Sequence, residues 1–329
     1  MFKRLNLLFS TVEDVMAINT TNNSNIKPAK SAPLRKKFHI KQEKYAPYVF
    51  VLPFILTFLI FFLYPIISTV ITSFQDVLPG EVEFVGLKNY KNMINEHFFN
   101  AIWVTTRYTF WTLLVLIPLP MFLAVLLNRK NTIGKNLFRS AFFLPALTSV
   151  IVAGLFFRLA FGEQETTIVN MILGYFGIPK TTWLQKGHTA MFVMVVLATW
   201  RWLGVNVIYF LSGLQNIPTE QYESASIDGA SEWRKFLSIT VPGLKPVIIY
   251  VLTISIYGGY SMFAESYTLF GPRSPGDIGL TMVSLIYQQG FNENNFGAGS
   301  AIGITLLGIL IVINMIQLTL TGFFKKEGE

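Results

Sequence analysis

The chain has 329 residues, of which 52% are hydrophobic and 15% aromatic but only 13% charged, and it contains no cysteine. Soluble domains carry about 25% charged residues, so the polar surface of a soluble enzyme is missing, and disulfide scaffolds and thiolate metal sites are excluded as well. Composition points to lipid as the solvent, and the net charge of +8 suggests nucleic acid only if topology does not account for the basic residues.

A membrane-crossing helix needs ~20 mainly apolar residues. Six segments meet that length: 45–75, which holds no Asp, Glu, Lys or Arg, then 101–127, 141–161, 190–214 and 246–269, and finally 294–324, again without formal charge. The expected fold class is therefore an all-α membrane protein of six transmembrane helices. With the N-terminus inside, 18 of the 26 Lys and Arg fall on the cytoplasmic side: nine before the first span, four in 128–140, three in 215–245 and two after the last span. Only Lys88, Lys91, Lys180, Lys186 and Arg273 fall in outer loops. That is the positive-inside pattern, so the basicity is topological and a nucleic-acid partner is rejected. The expected organisation is a basic cytoplasmic tail over 1–44, a membrane domain over 45–324 with a cytoplasmic loop at 215–245, and a cytoplasmic end at 325–329.

The tail has no signal-peptide core. Its run 2–15 reads either as a short interfacial helix or as frayed chain, the second being favoured. In the first outer loop, Phe84-Val85-Gly86-Leu87-Lys88-Asn89-Tyr90 reads as a turn leading into a short helix. The apolar stretches 166–179 and 278–292 are too short to span and are expected at the outer interface, with Tyr175, Trp183 and Tyr287 at headgroup level. Ordinary loop packing is the alternative for all three.

The loop at 215–245 reads as two short helices broken at Gly229. Pro218 suits a first helical turn, Asp228-Gly229 is a turn signal, Ser231 is an N-cap candidate, and Pro242 is expected to stop the second helix. Trp233, Phe236 and Leu237 share one side of that helix. Two readings stay open for them: a docking knob for another protein, or packing against the chain's own helix ends.

Glu223-Ser224-Ala225, three residues, Gly229, nine residues and Ile239-Thr240-Val241-Pro242 together resemble the EAA loop of ABC importer permeases. That pattern runs Glu-Ala-Ala, three residues, Gly, nine residues, Ile, any residue, Leu-Pro; Ser224 and Val241 are mild departures. Ile227-Asp228-Gly229-Ala230 with Trp233 and Phe236 is similar to the carbohydrate-uptake, maltose-type branch. So are the Phe84-to-Tyr90 string and Phe296-Gly297-Ala298-Gly299-Ser300-Ala301. The resemblance runs from about Tyr45 to Lys326.

It implies a type I importer permease (MetI-like) fold in a multi-pass subunit of a bacterial plasma membrane. The implied partners are a second homologous permease, two ABC ATPase subunits and an extracytoplasmic solute-binding protein. It further implies that Glu223, Ala225, Asp228, Gly229, Trp233, Phe236 and Pro242 couple the loop to the ATPase, with Arg234 and Lys235 as rim charges. ATP and Mg would be bound by the partner ATPase, and this chain is expected to bind no cofactor and to be no enzyme. Its own residues agree, because a phosphate-cradling loop needs Gly, four residues, then Gly-Lys and a hydroxyl. The single Gly-Lys, Gly134-Lys135, is followed by Asn136 and lacks the upstream glycine. His39, His97 and His188 have no acidic or cysteine neighbour at ligand spacing, so no metal site is expected.

Charges inside spans are costly and face a bundle interior or a wet cavity. Arg107 and Arg158 lie near outer ends, where snorkelling accounts for them. Arg201 sits mid-span, and Glu265 is its expected opposite charge; a structural contact is the favoured reading and a place on the substrate pathway the alternative. Sugars are held by aromatic faces and neutral hydrogen-bonding groups. Trp202, Asn206 and Tyr209 on the fourth span, and Ser255, Gly259 and Ser266 on the fifth with Tyr257 and Tyr260 nearby, suit that chemistry. Gly258-Gly259 also suits close helix packing. In maltose-type permeases the spans flanking the EAA loop line the path, so the pathway candidates are Arg201, Trp202, Asn206, Tyr209, Ser255, Gly259 and Glu265.

The expected function is ATP-driven import of a sugar or oligosaccharide by alternating access. Alternatives are the same fold importing an amino acid, polyamine or phosphate, and a secondary transporter, which would show inverted repeats and paired intramembrane charges. A membrane anchor would leave the cytoplasmic loop without a purpose.

Overall fold

The computed structural model describes residues 42–78, 81–129, 132–272 and 274–323, with side chains from Pro47 onward except that of Leu78. The expected tail 1–44, apart from its last three residues, the helix considered at 2–15, His39 and the terminus 325–329 lie outside the described residues. The chain divides into two units, Met1–Leu59 and Ile60–Glu329. The first contributes α1 (Gln42–Phe58), in which Thr57 donates its hydroxyl to the Pro53 carbonyl at 2.8 Å.

After the wide π turn Leu59–Leu63, α2 (Tyr64–Thr72) opens the second unit. An antiparallel hairpin follows, β1 (Gln75–Leu78) with β2 (Glu81–Phe84), pairing Gln75 with Phe84. Strands of four residues are too short for their alternation to register in sequence, and no strand is expected there. The short helix expected in the 84–90 string is α3 (Lys88–Met93), which holds Tyr90 itself. Asn89 locks it to the hairpin by donating to the carbonyls of Ser73 at 3.1 Å and Gln75 at 2.8 Å.

The next apolar run is α4 (Glu96–Leu116), capped by Asn95 accepting from the Phe98 amide at 3.0 Å, and α5 (Pro118–Asn128). The break at Ile117 has a covalent cause. Pro118 and Pro120 have no N–H, so carbonyls one turn earlier lose their acceptor role. One of these, Leu116 O, receives the side-chain amide of Asn206 instead, at 2.9 Å.

The third expected span is not one rod. α6 (Lys135–Phe143) and the 3₁₀ turn Leu144–Leu147 meet α7 (Val150–Ala160) at a 94° bend. Pro145 and the extended backbone at Thr148 and Ser149 make that corner. The loop beyond carries α8 (Ile168–Tyr175), pinned by Asn170, which bonds the carbonyls of Gly162 and Thr181 and accepts from Trp183 Nε1 at 2.9 Å. Trp183 thus packs inward against Phe161 rather than outward, whereas Tyr175 is exposed.

The longest helix, α9 (Gly187–Gln215), is the axis of the second unit. Its first half packs in a core with Val104, Tyr108, Phe157 and Leu269, and its second half with Leu127, Leu244 and Val251. Gly204 permits its approach to α6, since a Cβ there would overlap the backbone of Phe142. A third core joins Phe98 and Ala101 to Ile256, Tyr260, Met282 and Ile302.

The loop at 215–245 forms α10 (Thr219–Ile227) and α11 (Glu232–Lys235). Pro242 does not end the second helix: a π turn, Phe236–Thr240, runs into α12 (Val241–Gly243). Pro242 occupies a first-turn position of that short helix, where its missing N–H costs no bond. The chain then bends by 65° at Leu244 into α13 (Lys245–Tyr260). The fifth expected span is also shorter than 246–269. It stops at Tyr260, irregular backbone at Phe263 intervenes, and Glu265 belongs to a separate helix, α14 (Ala264–Phe270). α15 (Met282–Tyr287), the π turn Gln288–Asn292 and α16 (Phe296–Leu320) complete the chain. By length and composition, four helices can cross a membrane, or six if each bent pair is one span.

Candidate functional site

Two groups of residues merit a site's description. In the 215–245 loop, α10 closes on Gly229, whose φ of 71° is left-handed. The Ala230 amide bonds back to Ala225 O at 2.9 Å and the Asp228 amide to Ser224 O at 3.0 Å. Ser231 then caps α11 by accepting from the Arg234 amide at 3.3 Å. Tyr222 and Thr240 join their hydroxyls at 2.9 Å, which ties α10 to the π turn beyond α11. The apolar side splits between its two readings. Trp233 and Leu237 are exposed, as is Ile227, while Phe236 is half-buried beneath Trp233, ring centroids 5.4 Å apart and nearly parallel. Beneath them lies a cavity of about 310 Å³ lined by Phe122, Val125 and Leu126 of α5. Lys235 reaches Glu232 at 3.0 Å, and its hydrogen bond and charge hold that exposed carboxyl below the usual carboxylate range. Glu223 and Asp228 are exposed.

The second group encloses a cavity of about 410 Å³ between α4, α9 and α13. Trp202, Asn206, Tyr209, Ser255, Gly259 and Glu265 all reach its wall, with Tyr257. Arg201 does not. It turns to Glu265, Nη1 to Oε1 2.7 Å, both side chains 12% exposed, and its guanidinium lies 5.4 Å from the Trp202 ring centre. Glu265 therefore faces the cavity as one half of an ion pair that is neutral overall. Tyr209 meets Tyr250 edge-on at 5.2 Å.

Other expected positions have structural duties. Ser266 is buried and donates to Gly279 O at 2.5 Å; Tyr260 shares a hydroxyl contact with Thr106 at 2.9 Å. Gly259 is needed for packing as well as for the wall, because a Cβ there would overlap Thr109, whereas Gly258 faces open space. Tyr108 and Thr112 also line the cavity. Their signal was the stripe Thr105, Tyr108, Thr109, Thr112 at three- and four-residue spacing on α4, which the even spread of hydroxyl residues concealed.

A larger cavity of about 620 Å³ lies between α4 and α9, lined by Trp111, Met191, Phe192 and Trp200. Its few polar groups, Arg107 among them with its guanidinium 5.7 Å from Trp103, leave a wall suited to hydrocarbon rather than to a hydroxyl-rich solute. His97 has a partner distant in sequence, Asp277, at 2.5 Å from Nδ1, and Asn100 bonds the Asp277 carbonyl at 2.9 Å. That pair fastens the 275–277 turn to the start of α4.

An elbowed loop following a long helix, with a small polar cavity among the helices on either side of it, is the arrangement of an importer's membrane subunit. The chain belongs to the binding-protein-dependent transport system inner membrane component family, which it matches over residues 116–322. Among its relatives, the arabinooligosaccharides transport system permease protein AraP of Bacillus subtilis (strain 168) is 57% identical over 300 residues, 91% of this chain and 95% of that protein. The protein of the same name from Halalkalibacterium halodurans is 51% identical, over 87% and 91% of the two chains. Among solved structures, a chain of a bacterial ABC transporter involved in import of the acidic polysaccharide alginate shares the fold. Its TM-score is 0.76 at 23% identity, covering 87% of this chain and 98% of that one.

Proposed function

We propose that this chain is the membrane subunit through which a neutral oligosaccharide, of the arabinose-containing kind, enters the cell by alternating access. The observation that carries this reading is the 57% identity over 91% of the chain to an arabinooligosaccharide permease. The cavity's chemistry supports it. Trp202 and Tyr257 offer ring faces, Asn206, Ser255 and Tyr209 offer neutral donors and acceptors, and Arg201 cancels the single acidic group. That cancellation counts against a polyamine, which would need uncompensated acid in the wall.

In this reading a separate ATPase binds ATP and Mg and seats Trp233, Phe236 and their neighbours in a cleft, while Glu223, Ala225, Asp228, Gly229 and Pro242 shape the loop. A second permease completes the path, two ATPase copies supply energy, and an extracytoplasmic binding protein delivers cargo. A solved relative of the fold is described in complex with an alginate pentasaccharide-bound periplasmic protein, which is consistent with such delivery. Both chain ends lie in the cytoplasm.

The test is ATPase activity of the reconstituted complex with its binding protein, across arabino-oligosaccharides, other sugars and amino acids. Stimulation by arabino-oligosaccharides is expected. Stimulation by an amino acid and by no sugar overturns the reading.

A further inference from the structure

Beyond Tyr260, at the end of α13 remote from the cytoplasmic loop, five aromatic rings stand in unbroken contact. Phe263 lies 5.3 Å from Tyr267 and 5.1 Å from Tyr287, centre to centre, and the two tyrosines are 5.5 Å apart edge to face. Tyr287 continues to Phe291 at 5.4 Å, nearly parallel, and Phe291 to Phe296 at 5.9 Å. The rings come from four places: the break before α14, α14 itself, the end of α15 with its π turn, and the first residue of α16. None belongs to the three buried cores. Phe291 is 64% exposed and Tyr267 and Phe296 about 40%.

Aromatic clusters are ordinarily buried for their area, so an open one needs another explanation. Hydrocarbon does not supply it, because the π turn and the residue after it carry Gln288, Gln289 and Glu293, whose amides and carboxylate would lose water there, although Tyr287 alone suits the headgroup level. The two ends of the row explain it better. At one end Phe263 directly follows Met262 and precedes Glu265 by two residues, and both of those line the 410 Å³ cavity. At the other end Gln288 and Gln289 line a polar pocket of about 160 Å³ with Asn92, Asn295 and Glu293. Among the described residues, the side chains of Asn92 and Gln288 have no hydrogen-bond partner within the chain, and so are free for a ligand.

We propose that these five rings are a stacking track that passes an oligosaccharide from the polar pocket to the central cavity, one sugar face at a time. The weakly positive C–H face of a furanose or pyranose ring lies against the negative face of an aromatic ring, while its hydroxyl edge stays wet or meets the tyrosine hydroxyls. Rings in contact make each step short, and many weak sites in series let cargo both enter and leave. The inference rests on the sugar-cargo reading above and adds a binding surface to it.

The test uses the complete complex in proteoliposomes, with cargo from the arabinose disaccharide to the hexasaccharide. Phe291→Leu removes a ring at an exposed position; Phe291→Tyr keeps it. Taking a sugar–ring contact as comparable to an aromatic pair, roughly 0.5–1.5 kcal/mol, the Leu variant should slow disaccharide uptake about two- to tenfold. Hexasaccharide uptake should slow less, because that cargo spans the missing ring; subunit co-purification should be unchanged, and the Tyr variant should transport as the parent does. Equal slowing at every length, or no slowing at any, overturns the track. Loss of co-purifying subunits in the Leu variant also overturns it, by assigning the rings to a subunit contact. If the unaltered complex imports no oligosaccharide, the cargo reading fails first and the track with it.

Discussion

Arg201 and Glu265 are 64 residues apart in sequence and 2.7 Å apart in space, each almost wholly removed from solvent. A mid-span cation needs a partner, which is why this pairing could be read from residue types alone. Removing one member of a buried pair leaves the other uncompensated, a loss of about 3–5 kcal/mol. Glu265→Gln should therefore lower the thermal unfolding temperature of the detergent-solubilised protein clearly. The double change Arg201→Met with Glu265→Leu should recover most of that loss, because replacing both charges by apolar groups is near neutral. A Glu265→Gln protein as stable as its parent would show that the pair carries no weight. Gly229 and Ser231 were legible for a related reason: a left-handed φ and an N-cap are local requirements that one residue type meets within its own turn. Asn206 was legible as a cavity residue but not as a helix repair, because its second duty depends on a carbonyl 90 residues away.

That second duty belongs to the element. α4 and α5 form one apolar run interrupted where Pro120 cannot donate to Leu116 O, and α9 lends the missing donor. Asn206→Leu should cost about 1–3 kcal/mol through the carbonyl left buried and unpaired. Pro120→Ala, which restores an N–H within the helix, should make Asn206→Leu much milder. A thermal-melt double-mutant cycle reads that coupling, and additive losses would mean the carbonyl is satisfied otherwise. The charge-poor runs predicted where helices lie but not where they turn. The 94° corner at Thr148–Ser149 and the break before Ala264 interrupt stretches that each hold a single formal charge, Arg158 and Glu265, so a span-length hydropathy window passes over both. The corner is set by two backbone conformations, and the break by the packing of α14 on its neighbours. The hairpin at 75–84 was missed for a different reason: its strands are four residues each, too short for their alternation to register.

At the scale of the whole molecule, the distribution of Lys and Arg predicts the 215–245 loop in the cytoplasm and 161–187 outside. The absence of native cysteine makes this directly measurable. A cysteine at Ser226, which is exposed on α10, should react with an impermeant maleimide only after cells are opened, whereas one at Gln164 should react in intact cells. Labelling in the reverse order would invert the topology. The bend at Leu244 has a mechanical consequence. Residues 232–243 and 245–260 form two arms set at 65° about a side chain that is wholly buried, which is the geometry of a bell crank. At 1.5 Å per residue the arms are roughly 18 and 24 Å long. In the proposed transport cycle a thrust on Trp233 would arrive at Gly259 turned sideways and lengthened by the longer arm, so that the displacement would grow on its way from the loop to the cavity wall.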